Sequence, residues 1–190
     1  MRSEPRQRSA GRPQQADALP EPAMLQIRRL QSTDSLEQLT ALLHRGYAQL
    51  GAMGLNYTAV DQTVEVTADR IQGGHCLVAL WNGELAGTVL GMPQDLESEC
   101  EYYGRPGVAS LRQLAVEPSL QGKGVGRALI AACETWARES GFTELALDTA
   151  EPATHLVTLY ARLGFAQVDT VQWPGKCYRS VVMSKRLVGG

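Results

Sequence analysis

Residues 111–130 place an apolar run, a proline and a glycine-rich turn directly before a run with helical periodicity. Gly122, Gly124 and Gly126 alternate with Lys123 and Val125, and Gln121 and Arg127 flank them. Glycines without a Cβ let a ligand approach the main chain closely, while the free N–H groups and dipole of a helix start attract a phosphate oxygen. Lys123 and Arg127 add positive charge. The chemistry expected of this segment is the holding of a pyrophosphate.

Three phosphate-binding readings compete for it. A P-loop needs Gly-Lys followed by Ser or Thr to ligate magnesium, and no such hydroxyl follows Lys123. A dinucleotide fingerprint needs its third glycine three positions after the second, with an acidic ribose ligand roughly 20 residues on. The third glycine is misplaced here, although Asp148 lies near the expected distance. The third reading rests on resemblance. Gln121-Gly122-Lys123-Gly124-Val125-Gly126 resembles the Q/R-x-x-G-x-G/A pyrophosphate signature of the Gcn5-related N-acetyltransferase (GNAT) superfamily. Leu114-Ala115-Val116-Glu117-Pro118 resembles the strand that precedes that loop, and residues 159–165 resemble the family's later helix-to-strand signature.

The elements that must position this loop follow from the hydrophobic pattern. A strand is expected over 24–30, then Ser32, Thr33 and Asp34 as helix caps before an apolar stripe from Leu36 to Leu50. A second helix is expected over 61–71. Strands over 76–81 and 84–91 flank Asn82-Gly83, a hairpin signal. Residues 93–107 are polar and irregular; a strand over 108–116, a helix over 124–140, a strand over 143–148, a helix over 152–163 and strands over 165–173 and 176–187 complete the chain. The predicted fold class is α/β, a mixed, mostly antiparallel central sheet flanked by helices, as the GNAT resemblance also implies. Residues 1–23, rich in Arg, Gln, Pro and Ser, are expected to be a disordered tail, with one domain over 24–190.

The resemblance further implies acetyl-coenzyme A as co-substrate and transfer of its acetyl group to a primary amine, without a metal. The main chain of Leu114, Ala115 and Val116 would pair with the pantetheine arm. N–H groups from Gly122 through Arg127, Val125 included, would hold the pyrophosphate, with Gln121 shaping the loop. Tyr160 takes the position of the phenol that protonates the departing thiolate in similar enzymes. Ala153 stands where many relatives carry an Asn that contacts the cofactor; Thr154 and His155 are the neighbouring groups able to replace it. For the base that frees the attacking amine, Glu99 and Glu101 precede the cofactor strand in a loop expected to border the acceptor. Tyr47, Asn56, Tyr57, Tyr102 and Tyr103 are candidate lining groups, and the acidic 97–101 segment suits a cationic amine. The alternatives are a non-catalytic acyl-coenzyme A-binding or regulatory module and a nucleotide-dependent enzyme.

Bulk properties narrow the partners. The net charge of -2 and the pI near 5.9 argue against a nucleic-acid surface. No apolar run approaches the roughly 20 residues that span a bilayer, so no membrane partner is expected. The four cysteines are scattered, without metal-ligand spacing, and no metal is expected. A cytoplasmic enzyme acting on a small-molecule or peptide amine is the resulting expectation, and the resemblance makes a homodimer plausible.

Overall fold

The computed structural model describes residues 24–187; the expected N-terminal tail lies outside the described residues. Seven strands form one sheet: β1 (Leu25–Arg29), β2 (His75–Trp81), β3 (Glu84–Met92), β4 (Val108–Val116), β5 (Glu144–Ala150), β6 (Ala166–Val171) and β7 (Ser180–Arg186). Their spatial order is β1-β2-β3-β4-β5-β7-β6. Every neighbouring pair is antiparallel except β4 with β5. The helices are α1 (Leu36–Ala52), α2 (Val64–Ile71), α3 (Val125–Glu139) and α4 (Thr154–Arg162), with short 3-10 turns at Thr58–Val60, Glu101–Gly104 and Pro118–Leu120. The mixed, mostly antiparallel sheet flanked by helices is the one the sequence predicts.

Alternation along the strands assigns the helices to opposite faces. Leu77 and Ala79 of β2 pack with Val125, Leu129, Ile130 and Cys133 of α3, whereas Cys76 and Val78 turn the other way, to Leu39 of α1. Leu129 and Cys133 are fully buried; truncating such a leucine costs about 2–5 kcal/mol. On the opposite face, a Cβ at Gly46 would lie 2.9 Å from the Cβ of Ala115, so only glycine lets α1 cross β4 this closely. That crossing brings Tyr47, the next residue, over the middle of the sheet.

The cap of α1 departs from expectation. Ser35, rather than residues 32–34, caps α1 by accepting the Gln38 N–H at 3.1 Å. Asp34 is occupied elsewhere, since its oxygens accept from Arg28 at 2.7 Å and from the Gln31 N–H at 2.7 Å. The Asn82-Gly83 hairpin forms as predicted, with both residues at positive φ, 53° and 87°.

Candidate active site

The cleft starts where two strands part. β4 pairs with β5 only from Val108 to Ser110, opposite Glu144 to Ala146. Beyond that point β5 continues against β7 and β4 against β3, so the facing edges of β4 and β5 diverge. A bulge in β4 accompanies the split. Gln113 adopts φ +52°, and the register with β3 shifts between Thr88 and Leu90. The extra residue reverses the alternation: Ala109 and Leu111 face α3 before the bulge, and Leu114 and Val116 face it afterwards.

A cavity of about 430 Å³ occupies the opening. Leu111, Arg112, Gln113 and Leu114 of β4 line one wall, and Leu147 and Asp148 of β5 line the other. Tyr160 closes the side formed by α4. Tyr47, Tyr57, Arg70, Lys176 and Tyr178 enclose the far end. This far end is fastened by a zipper between two loops: Asn56 donates to the Gly175 carbonyl at 2.8 Å and accepts from the Cys177 N–H at 3.0 Å. Lys176 Nζ donates to the Asn56 carbonyl at 2.7 Å and to Thr58 Oγ1 at 3.0 Å.

Below the cleft, the glycine loop meets α3. Gly122 and Gly124 sit at φ +78° and +88°, a region that disfavours side chains, and a Cβ at either would meet nothing within 4 Å. At Gly126 a Cβ would touch only Val116, at 3.4 Å. Internal packing therefore does not account for the three glycines, while an incoming group would find open main chain. The N-terminus of α3 has no side-chain cap, and its first backbone bond runs from the Ala128 N–H to the Gly124 carbonyl. Among the described residues, no backbone acceptor takes the N–H groups of Val125, Gly126 and Arg127. Gln121, Lys123 and Arg127 are exposed around them. The loop thus fits a pyrophosphate, and the free edge of β4 at Leu114, Ala115 and Val116 leads from it into the cavity.

Tyr160 is 8% exposed, and its phenol makes no hydrogen bond to another described residue. Burial, reinforced by Tyr57 and Asp148, pushes its pKa up, so it stays protonated at neutral pH. Tyr57 is engaged: its hydroxyl accepts the Ala150 N–H at 2.6 Å and contacts Thr149 Oγ1 at 3.0 Å. The Tyr57 ring lies between those of Tyr47 and Tyr178, with centroids 5.5 and 4.9 Å away.

Of the residues singled out from the sequence, Leu114, Tyr47, Tyr57 and Tyr160 come together at this cavity. Glu99 and Glu101 do not join them. Both are exposed and border a second depression with Asp169, Thr170 and Gln172. Tyr102 and Tyr103 lie in a neighbouring packing cluster, where their hydroxyls donate to Glu144 at 2.7 Å and Asp148 at 2.9 Å. Ala153 is fully buried at the start of α4, and Thr154 and His155 beside it are exposed. Sequence reasoning missed Arg70 and Gln113 and weighed Asp148 only as a ribose ligand. Among the described residues, Asp148 is the one carboxylate lining the cavity; besides Tyr103 it accepts from Trp173 Nε1 at 2.9 Å. Gln113 is 7% exposed and its amide nitrogen has no partner among the described residues. An amide inside an apolar strand was the available signal for it.

Comparison with known proteins places this geometry. The family model described as acetyltransferase (GNAT) family matches residues 39–165. An aminoglycoside N(6')-acetyltransferase type 1 of Stenotrophomonas maltophilia is 31% identical over 144 residues, covering 74% of this chain and 91% of that protein. A mycothiol acetyltransferase of Propionibacterium freudenreichii is 33% identical over 140 residues, 72% of this chain but only 42% of that longer protein. The ribosomal-protein-S18-alanine N-acetyltransferase of Escherichia coli shares the fold, with a TM-score of 0.65 at 19% identity over 88% of this chain and 96% of its own. So does an acetyltransferase of Elizabethkingia anophelis solved with acetyl-CoA bound, with a TM-score of 0.63 at 18% identity over 86% of this chain and 98% of its own.

Proposed function

The chain belongs to the acetyltransferase (GNAT) family, and from that premise we propose a direct acetyl transfer, from acetyl-coenzyme A in the β4–β5 opening to a primary amine at the far end of the cavity. The observation that carries this reading is continuity: an uncapped helix start, a free strand edge and a cavity with an unpaired phenol follow one another along a single path. Acetyl-coenzyme A supplies an activated thioester carbonyl. The N–H groups of Gly122 and of Gly124 through Arg127 hold the pyrophosphate, the Lys123 N–H being taken by the Leu120 carbonyl at 3.2 Å, and the Lys123 and Arg127 side chains add charge around it. The edge of β4 at Leu114, Ala115 and Val116 offers its peptide groups to the amides of the pantetheine arm, as an edge strand does to an added one.

The amine must be neutral to attack, so its ammonium first loses a proton. Asp148, the carboxylate of this cavity, takes that proton directly or through water. Glu99 and Glu101 border a separate depression, away from the Asp148 carboxylate. As the C–N bond forms and the C–S bond breaks, Tyr160 gives its phenolic proton to the leaving sulfur, and the second proton of the attacking nitrogen returns to the phenolate, directly or through water, as the amide forms. Residues 24–190 carry all of these groups and constitute the acetyltransferase domain.

Calorimetry with acetyl-coenzyme A, using ATP and NAD as competitors, tests the binding half. Selective coenzyme A binding is expected, and displacement by either nucleotide would return the glycine loop to the competing readings. Thiol release across a panel of amines tests the transfer half.

A further inference from the structure

The acceptor end of the cavity has a charge imbalance. Among the described residues, three cations line it: Arg70 from the last turn of α2, Arg112 from β4 and Lys176 from the loop before β7. Among the described lining residues, Asp148 is the sole carboxylate, and it already accepts two hydrogen bonds. Arg112 is compensated from outside the lining by Asp95, at 3.1 Å. Among the described residues, Lys176 donates to two neutral oxygens and to no carboxylate. Arg70 is the outstanding case. It is half-buried, and among the described residues no carboxylate lies within ion-pair distance of its guanidinium.

Leaving such a guanidinium partly desolvated and unpaired is unfavourable. Burial lowers the pKa of Arg70, and Lys176 is lowered by burial and then by Arg70 itself, so the two cations share one neighbourhood. A ligand that brings an anionic oxygen would relieve both. Planar, forked guanidinium donors match a carboxylate bidentately. A ligand that brings only further positive charge would meet repulsion, and aminoglycosides are polyamines.

Resting on the acetyl-transfer reading of this cavity, we infer that the acceptor is a small amine carrying its own carboxylate, of the amino acid class, with Arg70 receiving that carboxylate and Asp148 facing the ammonium. A cavity of about 430 Å³ suits a molecule of this size beside an acetyl group. The rings of Tyr47, Tyr57 and Tyr178 supply the apolar surface against which its side chain packs.

The test is acetyl-coenzyme A consumption by the purified full chain with the proteinogenic L-amino acids, each as free acid and as carboxamide, and with O-phosphoethanolamine and kanamycin as further arms. At least one free acid is expected to exceed its carboxamide in kcat/KM by about 10-fold or more, the scale of one charge-assisted hydrogen-bonded pair. Arg70→Gln should bring that ratio close to one, chiefly through KM, with coenzyme A affinity unchanged by calorimetry; Arg70→Lys should recover part of it. Equal rates for acid and amide, a preference for kanamycin or O-phosphoethanolamine over every amino acid, or acetyl-coenzyme A binding without acetylation of any acid would each overturn the inference while leaving acetyl-coenzyme A binding in place. Failure to bind acetyl-coenzyme A would instead remove the premise, and the inference with it.

Discussion

Residues 121–127 form the proposed cofactor end of the cleft from consecutive main-chain groups, whereas the proposed acceptor end takes side chains from α1, α2, β4, β5, α4 and two loops. The first depends on where a helix begins and on three missing Cβ atoms. The second depends on the α1–α2 loop meeting the loop before β7, as in the hydrogen bond from Asn56 to Gly175, 119 positions apart. A site made of local backbone tolerates change around it but not a side chain within it. A site gathered from distant elements should respond to any change that shifts one of them.

The largest separation between the two ends should come from Tyr160→Phe. Loss of a general acid slows the chemical step by about 100-fold or more, so kcat should fall on that scale while coenzyme A affinity by calorimetry stays unchanged. An unaltered kcat across the pH range would leave the phenol a packing group. Next comes Gly126→Asp, whose carboxylate favours a helix N-terminus but opposes a pyrophosphate. Coenzyme A affinity is expected to drop about 10-fold, the effect of losing one charge-assisted contact, with the melting temperature unchanged or raised. If affinity survives in the folded variant, the α3 N-terminus is not the cradle.

Asn56→Ala should act on the acceptor end alone. Removing both bonds to the 175–177 segment is expected to raise the acceptor KM a few-fold and to cost about 1 kcal/mol of stability, read by steady-state kinetics and denaturant titration, without touching coenzyme A binding. The smallest effect belongs to a region remote from both ends. The Arg28 and Gln31 bonds hold the Asp34 pKa down at about 2, below its usual value. A depressed folded pKa contributes stability that is complete above the unfolded value near 4 and is lost as pH falls toward 2. Asp34→Asn should therefore flatten that part of the acid-unfolding curve while leaving kinetics at neutral pH unchanged.

Much of the framework was legible because its determinants are local. The hairpin at Asn82-Gly83 follows from two residues that accept positive φ, and α3 follows from an apolar stripe that begins just after a glycine. The cap of α1 was misread by one to three residues because Asp34 bonds Arg28 across a turn, leaving the capping to Ser35. The glycine loop was visible as a phosphate-binding candidate for the same local reason. Glu99 and Glu101 were selected by their place in the chain, yet the turn at Glu101–Gly104 buries Tyr102 and Tyr103 and leaves both carboxylates outside the main cavity.

The sequence alone determined the succession of strands and helices, the glycine-rich helix start and the family resemblance, since periodicity and turn chemistry act over a few residues. Only the tertiary structure decided where β4 leaves β5, that the bulge at Gln113 reverses the facing of Leu114 and Val116, and that Arg70, Asp148 and Tyr160 share one cavity. Those outcomes depend on register and helix crossing, which are fixed by contacts between residues far apart in the chain.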